Sequence, residues 1–196
     1  MALAHAAGVR VFATGGIGGA HRAVGDEAVS WDVSADLTEL ARTPVLVVCA
    51  GAKSILDLPR TVELLETLGV PVLGYRTDHF PRFTVADDGG AMPVPARVES
   101  AAEAAAVFGA HVRLGGGGAL LTQPCPAEVA VPAAVYDHAL RQALADAHRA
   151  QARGPKATPF VLARLAELTA GRTLAANRAL IVANARLAAE VAVALS

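Results

Sequence analysis

The sequence is poor in aromatics, poor in cysteine and free of any block of like charge. Aromatic residues make up 4% of the chain, so Ala, Val and Leu must fill the core of a protein that is 54% hydrophobic. Two cysteines, Cys49 and Cys125, are too few for a disulfide framework. Cys49 lies in the run Val45-Leu46-Val47-Val48-Cys49-Ala50, where a buried, reduced thiol is expected. With 17 basic against 18 acidic residues and no Lys/Arg cluster, the footprint of a nucleic-acid binder is absent. The first residues lack the basic start of a signal peptide. The apolar stretch near the C-terminus is broken by Asn184, Arg186 and Glu190, which argues against a membrane span. The six histidines show no metal-ligand spacing, and no G-x-S-x-G elbow occurs. These absences leave a cytoplasmic globular chain, with no nucleic acid or membrane as partner, whose anionic ligands need a local site.

What is present is an alternation of strand-like and helix-like segments. Residues 9–14, 44–51 and 71–77 read as buried strands, and 119–122 as a further one after the 115–118 glycine turn. Residues 54–69 carry a helical register opened by Pro59 and closed by Gly69, which predicts a parallel pair of strands with a crossover helix. Ser34 and Ser100 are expected N-caps, the second within the capping box Ser100-Ala101-Ala102-Glu103. Residues 87–96 read as a loop, 135–152 as a helix, and Thr158-Pro159 as the start of another. Residues 173–195 predict a last helix buried on several sides. No repeat or linker interrupts the pattern. The expected fold is α/β: one domain over residues 1–196, a mainly parallel sheet flanked by helices in an α/β/α arrangement. Residues 1–7 feed directly into a central-looking strand, as in a chain truncated at the N-terminus within an α/β unit.

Three clusters can carry chemistry. Thr14-Gly15-Gly16-Ile17-Gly18-Gly19, followed by His21 and Arg22, follows a strand, where glycines let backbone amides approach an oxyanion. A tight turn needing positive φ is the alternative. Asp32-Val33-Ser34-Ala35-Asp36 gathers two carboxylates and a hydroxyl at a helix start, suited to ordinary capping or to an anion and a hard cation. Lys53 stands between a strand end and a helix, where ligands of parallel sheets gather, and a lysine there can add to a carbon electrophile or form an imine. A surface lysine is the plain alternative. Asn177 and Asn184 interrupt an apolar helix, either as satisfied core amides or as ligand contacts.

Four segments, taken in order, resemble the pseudouridine-5'-phosphate glycosidase family, indigoidine-cluster homologues included. They are residues 11–19, 34–40, 47–57 and 158–164. The resemblance implies reversible cleavage of the C–C glycosidic bond of pseudouridine 5'-phosphate to uracil and ribose 5-phosphate. It implies a phosphorylated nucleoside as ligand, a divalent cation, typically Mn²⁺, and a homotrimer. Matched by motif, Lys53 takes the place of the nucleophilic lysine and Asp32 that of the metal-bound aspartate. Ser34, Ala35 and Asp36 match the substrate-contacting stretch, and Thr14 and Asn177 match other pocket positions. The family's proton-donor glutamate belongs to an N-terminal segment that the chain is expected to lack, so turnover by this chain is expected to be slow or absent. Within the resemblance, residues 24–29 read as a small insertion, Gln123-Pro124 stands for Asn-Pro, and Ala183-Asn184 for a pair of asparagines. Lys156 is the rival lysine, expected to be structural. The second reading is a non-catalytic phosphate-ligand binding or oligomerisation module derived from this enzyme.

Overall fold

The computed structural model describes residues 1–22, 30–87, 92–152 and 157–196. The expected insertion at 24–29, part of the 87–96 loop and Lys156 lie outside the described residues. The chain opens with the short helix α1 (Ala2–Ala6) and strand β1 (Val11–Ala13), then α2 (Ala35–Arg42), β2 (Leu46–Cys49) and α3 (Leu58–Thr67). It continues through β3 (Val72–Tyr75), β4 (Ala96–Val98), α4 (Ala101–Arg113), β5 (Ala119–Thr122), α5 (Ala133–Arg149), α6 (Ala157–Leu168) and α7 (Arg172–Ala194).

The five strands form one parallel sheet in the order β1-β2-β5-β3-β4. β2 and β3 run parallel as expected but are not direct neighbours, because β5 inserts between them. The fully buried β2 and β5 form its middle and read as continuous apolar runs, as strands covered on both faces must. Side chains alternate between faces. Val47, Cys49 and Leu120 join a core with Leu37, Leu65 and Tyr136. Leu46, Val48 and Leu121 join a second core with Phe108, Leu187 and Val191. Helices therefore cover both faces, and the α/β/α expectation holds.

The expected caps form. Ser34 Oγ accepts from Asp36 N, and Ser100 Oγ accepts from Glu103 N. The reciprocal bond of the second box shifts by one residue, since Glu103 takes the amide of Glu99. α3 opens beside Pro59 as read, with Asp57 as its side-chain cap and Pro59 in its first turn. Strand β4 begins at Ala96, the last residue of the segment read as a loop. Helix α7 corrects the expectation of burial on several sides. Thr173, Ala176, Leu180, Asn184, Leu187 and Val191 line one buried stripe, while Val182 is 62% and Val193 78% exposed. Alanines between them gave the segment its apolar average without demanding burial. Among the described residues no helix is long and apolar enough to cross a membrane.

Candidate functional site

The site assembles at the C-terminal ends of β1 and β2. Beyond the strands, the glycine segment and residues 50–53 continue side by side. Ala50 N donates to Gly15 O at 2.8 Å, Ile17 N to Gly51 O at 3.0 Å, and Lys53 N to Ile17 O at 3.1 Å. This ladder fixes the backbone of Lys53 before α3 begins. The segment 32–36 then joins from the other side: His21 N donates to Asp32 O at 2.9 Å, and Ser34 N to Gly19 O at 3.0 Å. Thr14, Asp32, Ser34, Ala35, Asp36 and Lys53, scattered over forty residues, thus share one end of the sheet.

The glycines are required for close approach. None of Gly15, Gly16, Gly18 and Gly19 has positive φ, so the tight-turn alternative fails. A Cβ on Gly18 would lie 2.3 Å from Ser34 Oγ and 2.9 Å from Asp36 Oδ2, and one on Gly19 would lie 2.4 Å from Thr61 Oγ1. Asp36 uses its carboxylate to accept from Gly18 N at 2.8 Å. Ala20 N donates to Thr61 Oγ1 at 3.0 Å. The amides of Ile17, Gly18, Ala20 and His21 are therefore engaged within the chain. The shape of the loop is set by its own neighbours.

The two asparagines of α7 differ, and Asn184 takes the core role. Asn184 is fully buried and satisfied, donating to Thr14 O at 2.8 Å and Gly15 O at 3.3 Å, and accepting from Gln123 Nε2 at 2.9 Å. Asn177 Oδ1 is buried without a hydrogen-bond partner, and a Cβ on Gly15 would lie 3.0 Å from it.

Several neighbours of the site carried no motif. Residues 80–84 cross the end of β2: Phe83 N donates to Ala50 O at 2.9 Å, and the Phe83 ring lies 2.8 Å from where a Gly16 Cβ would stand. Phe83 adopts φ +57°, a strained conformation for a bulky residue. The carbonyl of Pro81 presses on Gly51, whose φ of +72° and lack of Cβ make room for it. Arg82 Nη2 pairs with Asp137 Oδ1 at 2.7 Å. Tyr136 is buried, and burial pushes its phenol up to about 12, with Ser54, Arg22 and Arg82 pulling the other way and Asp137 adding to the rise. The phenol therefore stays a hydrogen-bond donor. The one sequence cue to this strap was the pair Phe80 and Phe83 in a chain with few aromatics. Cys49 and Cys125 are free and buried, with burial pushing their thiols up to about 12 and about 11, which leaves both protonated and unreactive.

For a divalent cation the donor set is thin. No group of three His, Cys, Asp or Glu side chains comes together among the described residues. Asp32 is 60% exposed, with His21 Nε2 3.9 Å from its Oδ2. It fits a hard cation only as a single carboxylate completed by water or ligand oxygens.

Comparison with known proteins agrees with this architecture. The family described as "Indigoidine synthase A like protein" matches residues 1–194. A pseudouridine-5'-phosphate glycosidase of Methylobacterium nodulans is 53% identical over 196 residues, covering all of this chain and 57% of that protein. One from Roseiflexus sp. is 55% identical, with 100% and 61% covered. The crystal structure of the prealnumycin C-glycosynthase AlnA in complex with ribulose 5-phosphate superposes with a TM-score of 0.89 at 39% identity, covering 99% of this chain and 63% of that one. The chain thus spans about three fifths of the length of these relatives.

Proposed function

The chain belongs to the pseudouridine-5'-phosphate glycosidase and indigoidine synthase A family, and from that premise we propose that it carries the lysine half of a C–C glycosidic cleavage site. The observation that supports this most is the ladder that sets Lys53 beside the glycine loop and the Ser34–Asp36 turn at one end of the sheet. The ligand is a phosphosugar joined to a ring carbon, in keeping with the ribulose 5-phosphate bound by the AlnA relative.

A C–C bond to uracil offers no leaving oxygen or nitrogen to protonate, so a pair of carboxylates flanking an acetal has no use here. Breaking C1'–O4' opens the sugar ring, with O4' leaving as a hydroxyl, and the amine of Lys53 gives up a proton as it forms a C–N bond to C1'. The nitrogen lone pair then expels the C1'–C5 bond. Its electrons stay on uracil C5, which takes a proton, and the lysine is left as an imine of the sugar. Water hydrolyses the imine, releasing ribose 5-phosphate and the free amine. In this scheme Thr14, Ser34, Ala35 and Asn177 contact substrate, and Asp36 holds Gly18 and with it the shape of the loop. Asp32 would hold the Mn²⁺ or similar cation, which supplies charge stabilisation when bound. In this scheme the proton for C5 comes from water.

The test combines ribose 5-phosphate binding with uracil release from pseudouridine 5'-phosphate by the purified chain with Mn²⁺. Both are expected to depend on Lys53. Uracil release is expected to be slow; ribose 5-phosphate binding that persists unchanged in Lys53→Ala would favour the non-catalytic binding module, and absence of both would overturn the proposal.

A further inference from the structure

Helix α3 buries Leu58, Thr61 and Leu65 along one stripe. Thr61 is the odd member. It is fully buried on the face of the helix that should be apolar, and a hydroxyl there is unfavourable unless it is hydrogen-bonded. Thr61 Oγ1 makes two bonds. It donates to Asp57 O at 2.6 Å, one turn back, and accepts from Ala20 N at 3.0 Å, 41 residues away in sequence. The first bond is open to any helical threonine. The second leaves the helix and reaches the end of the glycine loop. Valine would fill the same space but leave the buried Ala20 amide unpaired.

That hydroxyl completes a frame around the loop. Residues 53–57 are pinned to it at both ends, since Lys53 N donates to Ile17 O at 3.1 Å and Asp57 N to Ala20 O at 2.9 Å. Arg22 Nε adds a bond to Ile55 O at 3.2 Å. On its other side the loop holds the 34–36 turn, through Ser34 N to Gly19 O at 3.0 Å and Gly18 N to Asp36 Oδ2 at 2.8 Å. These bonds join one loop to another. The bond to Thr61 instead ties the loop to a helix anchored in the core by Leu58 and Leu65. Packing adds to it, because a Cβ on Gly19 would stand 2.5 Å from Thr61 Cγ2. Loop and helix meet here with no space between them.

We infer that Thr61 is a positioning residue for the lysine chemistry: through the Ala20 amide it sets where the Lys53 segment stands relative to the glycine loop and the 34–36 turn. It is buried, so it acts through those groups and touches no ligand. This rests on the lysine-adduct reading above. A loosened joint leaves the loop and the turn their mutual bonds, so ligand affinity changes little. What it removes is the alignment of the amine with the sugar carbon, and small misplacements of a nucleophile lower rates steeply.

The experiment follows borohydride trapping of ribose 5-phosphate on Lys53 over a range of ligand concentrations. This separates the half-saturating concentration from the rate constant at saturation. Thr61→Val is expected to lower that rate constant about tenfold with half-saturation nearly unchanged. Thr61→Ser, which keeps the hydroxyl, is expected to restore it. A merely structural threonine would change the amount of chain that can be labelled and not the rate constant. An unchanged rate constant in Thr61→Val, or a Thr61→Ser as slow as Thr61→Val, therefore overturns the assignment. A second measurement needs no variant and holds even if Thr61→Val does not fold. Amide hydrogen exchange in the wild type is expected to be as slow at Ala20 as at Lys53 and Asp57, and fast exchange at Ala20 alone overturns the joint. No adduct in the wild type contradicts the lysine reading instead, and the exchange result then decides the joint by itself.

Discussion

Gln123 Nε2 donates to Asn184 Oδ1 at 2.9 Å across 61 residues of sequence. The pair ties the end of β5 to α7, and Asn184 passes the tie on to the carbonyls of Thr14 and Gly15. Gln123 and Asn184 are thus one hydrogen-bonded unit under the glycine loop.

Replacing Asn184 with Leu strands Gln123 and removes the donor to two loop carbonyls. Chain stability is expected to fall by about 3 kcal/mol in urea unfolding, against about 1 kcal/mol for Gln123→Leu, which leaves the loop bonds in place. Similar losses in both variants would mean that the loop carbonyls gain nothing from Asn184.

Gly18→Ala drives a methyl into Ser34 and Asp36. Loss of about 1–3 kcal/mol is expected, with weaker ribose 5-phosphate binding by calorimetry as the turn is pushed away. Gly51→Ala should be worse, since its Cβ would stand 2.0 Å from the Pro81 carbonyl at positive φ. A neutral Gly18→Ala would contradict the close-approach role.

The sequence made the central strands, the Ser34 and Ser100 caps and the grouping of candidate residues at strand ends readable, because each rests on local pattern. β4 was hidden, since three residues after Pro93 and Pro95 carry no periodicity and pair with β3 only through the folded sheet. The outward face of α7 was misread because alanine is apolar by scale yet indifferent to burial. The Phe83 strap, Thr84 and Tyr136 reach the site only by tertiary packing, which no short motif encodes. The partner of Asn184 was equally out of reach, and with it the distinction between Asn184, which is bonded, and Asn177, whose Oδ1 has no partner.

Asp146 joins α5 to α6. Its carboxylate is held below the usual range first by the hydrogen bond from Arg164, with Arg149 adding to it against desolvation. A depressed carboxyl stabilises the fold above its unfolded value, about 3.9, and that contribution is lost as pH falls through the lower folded value. Urea midpoints of wild type should therefore drop more steeply below about pH 4 than those of Asp146→Asn. Parallel pH profiles would show that the bridge contributes nothing.

Asp32 is expected to support weak Mn²⁺ binding, visible by calorimetry or paramagnetic relaxation and lost in Asp32→Ala. Unchanged binding in that variant moves the cation to other residues.

The most direct measurement is borohydride trapping with ribose 5-phosphate followed by mass spectrometric mapping of the reduced adduct. The account predicts a single label on Lys53, absent from Lys53→Ala, with Lys156 unmodified. Equal labelling of wild type and Lys53→Ala, or a label on Lys156, would contradict it.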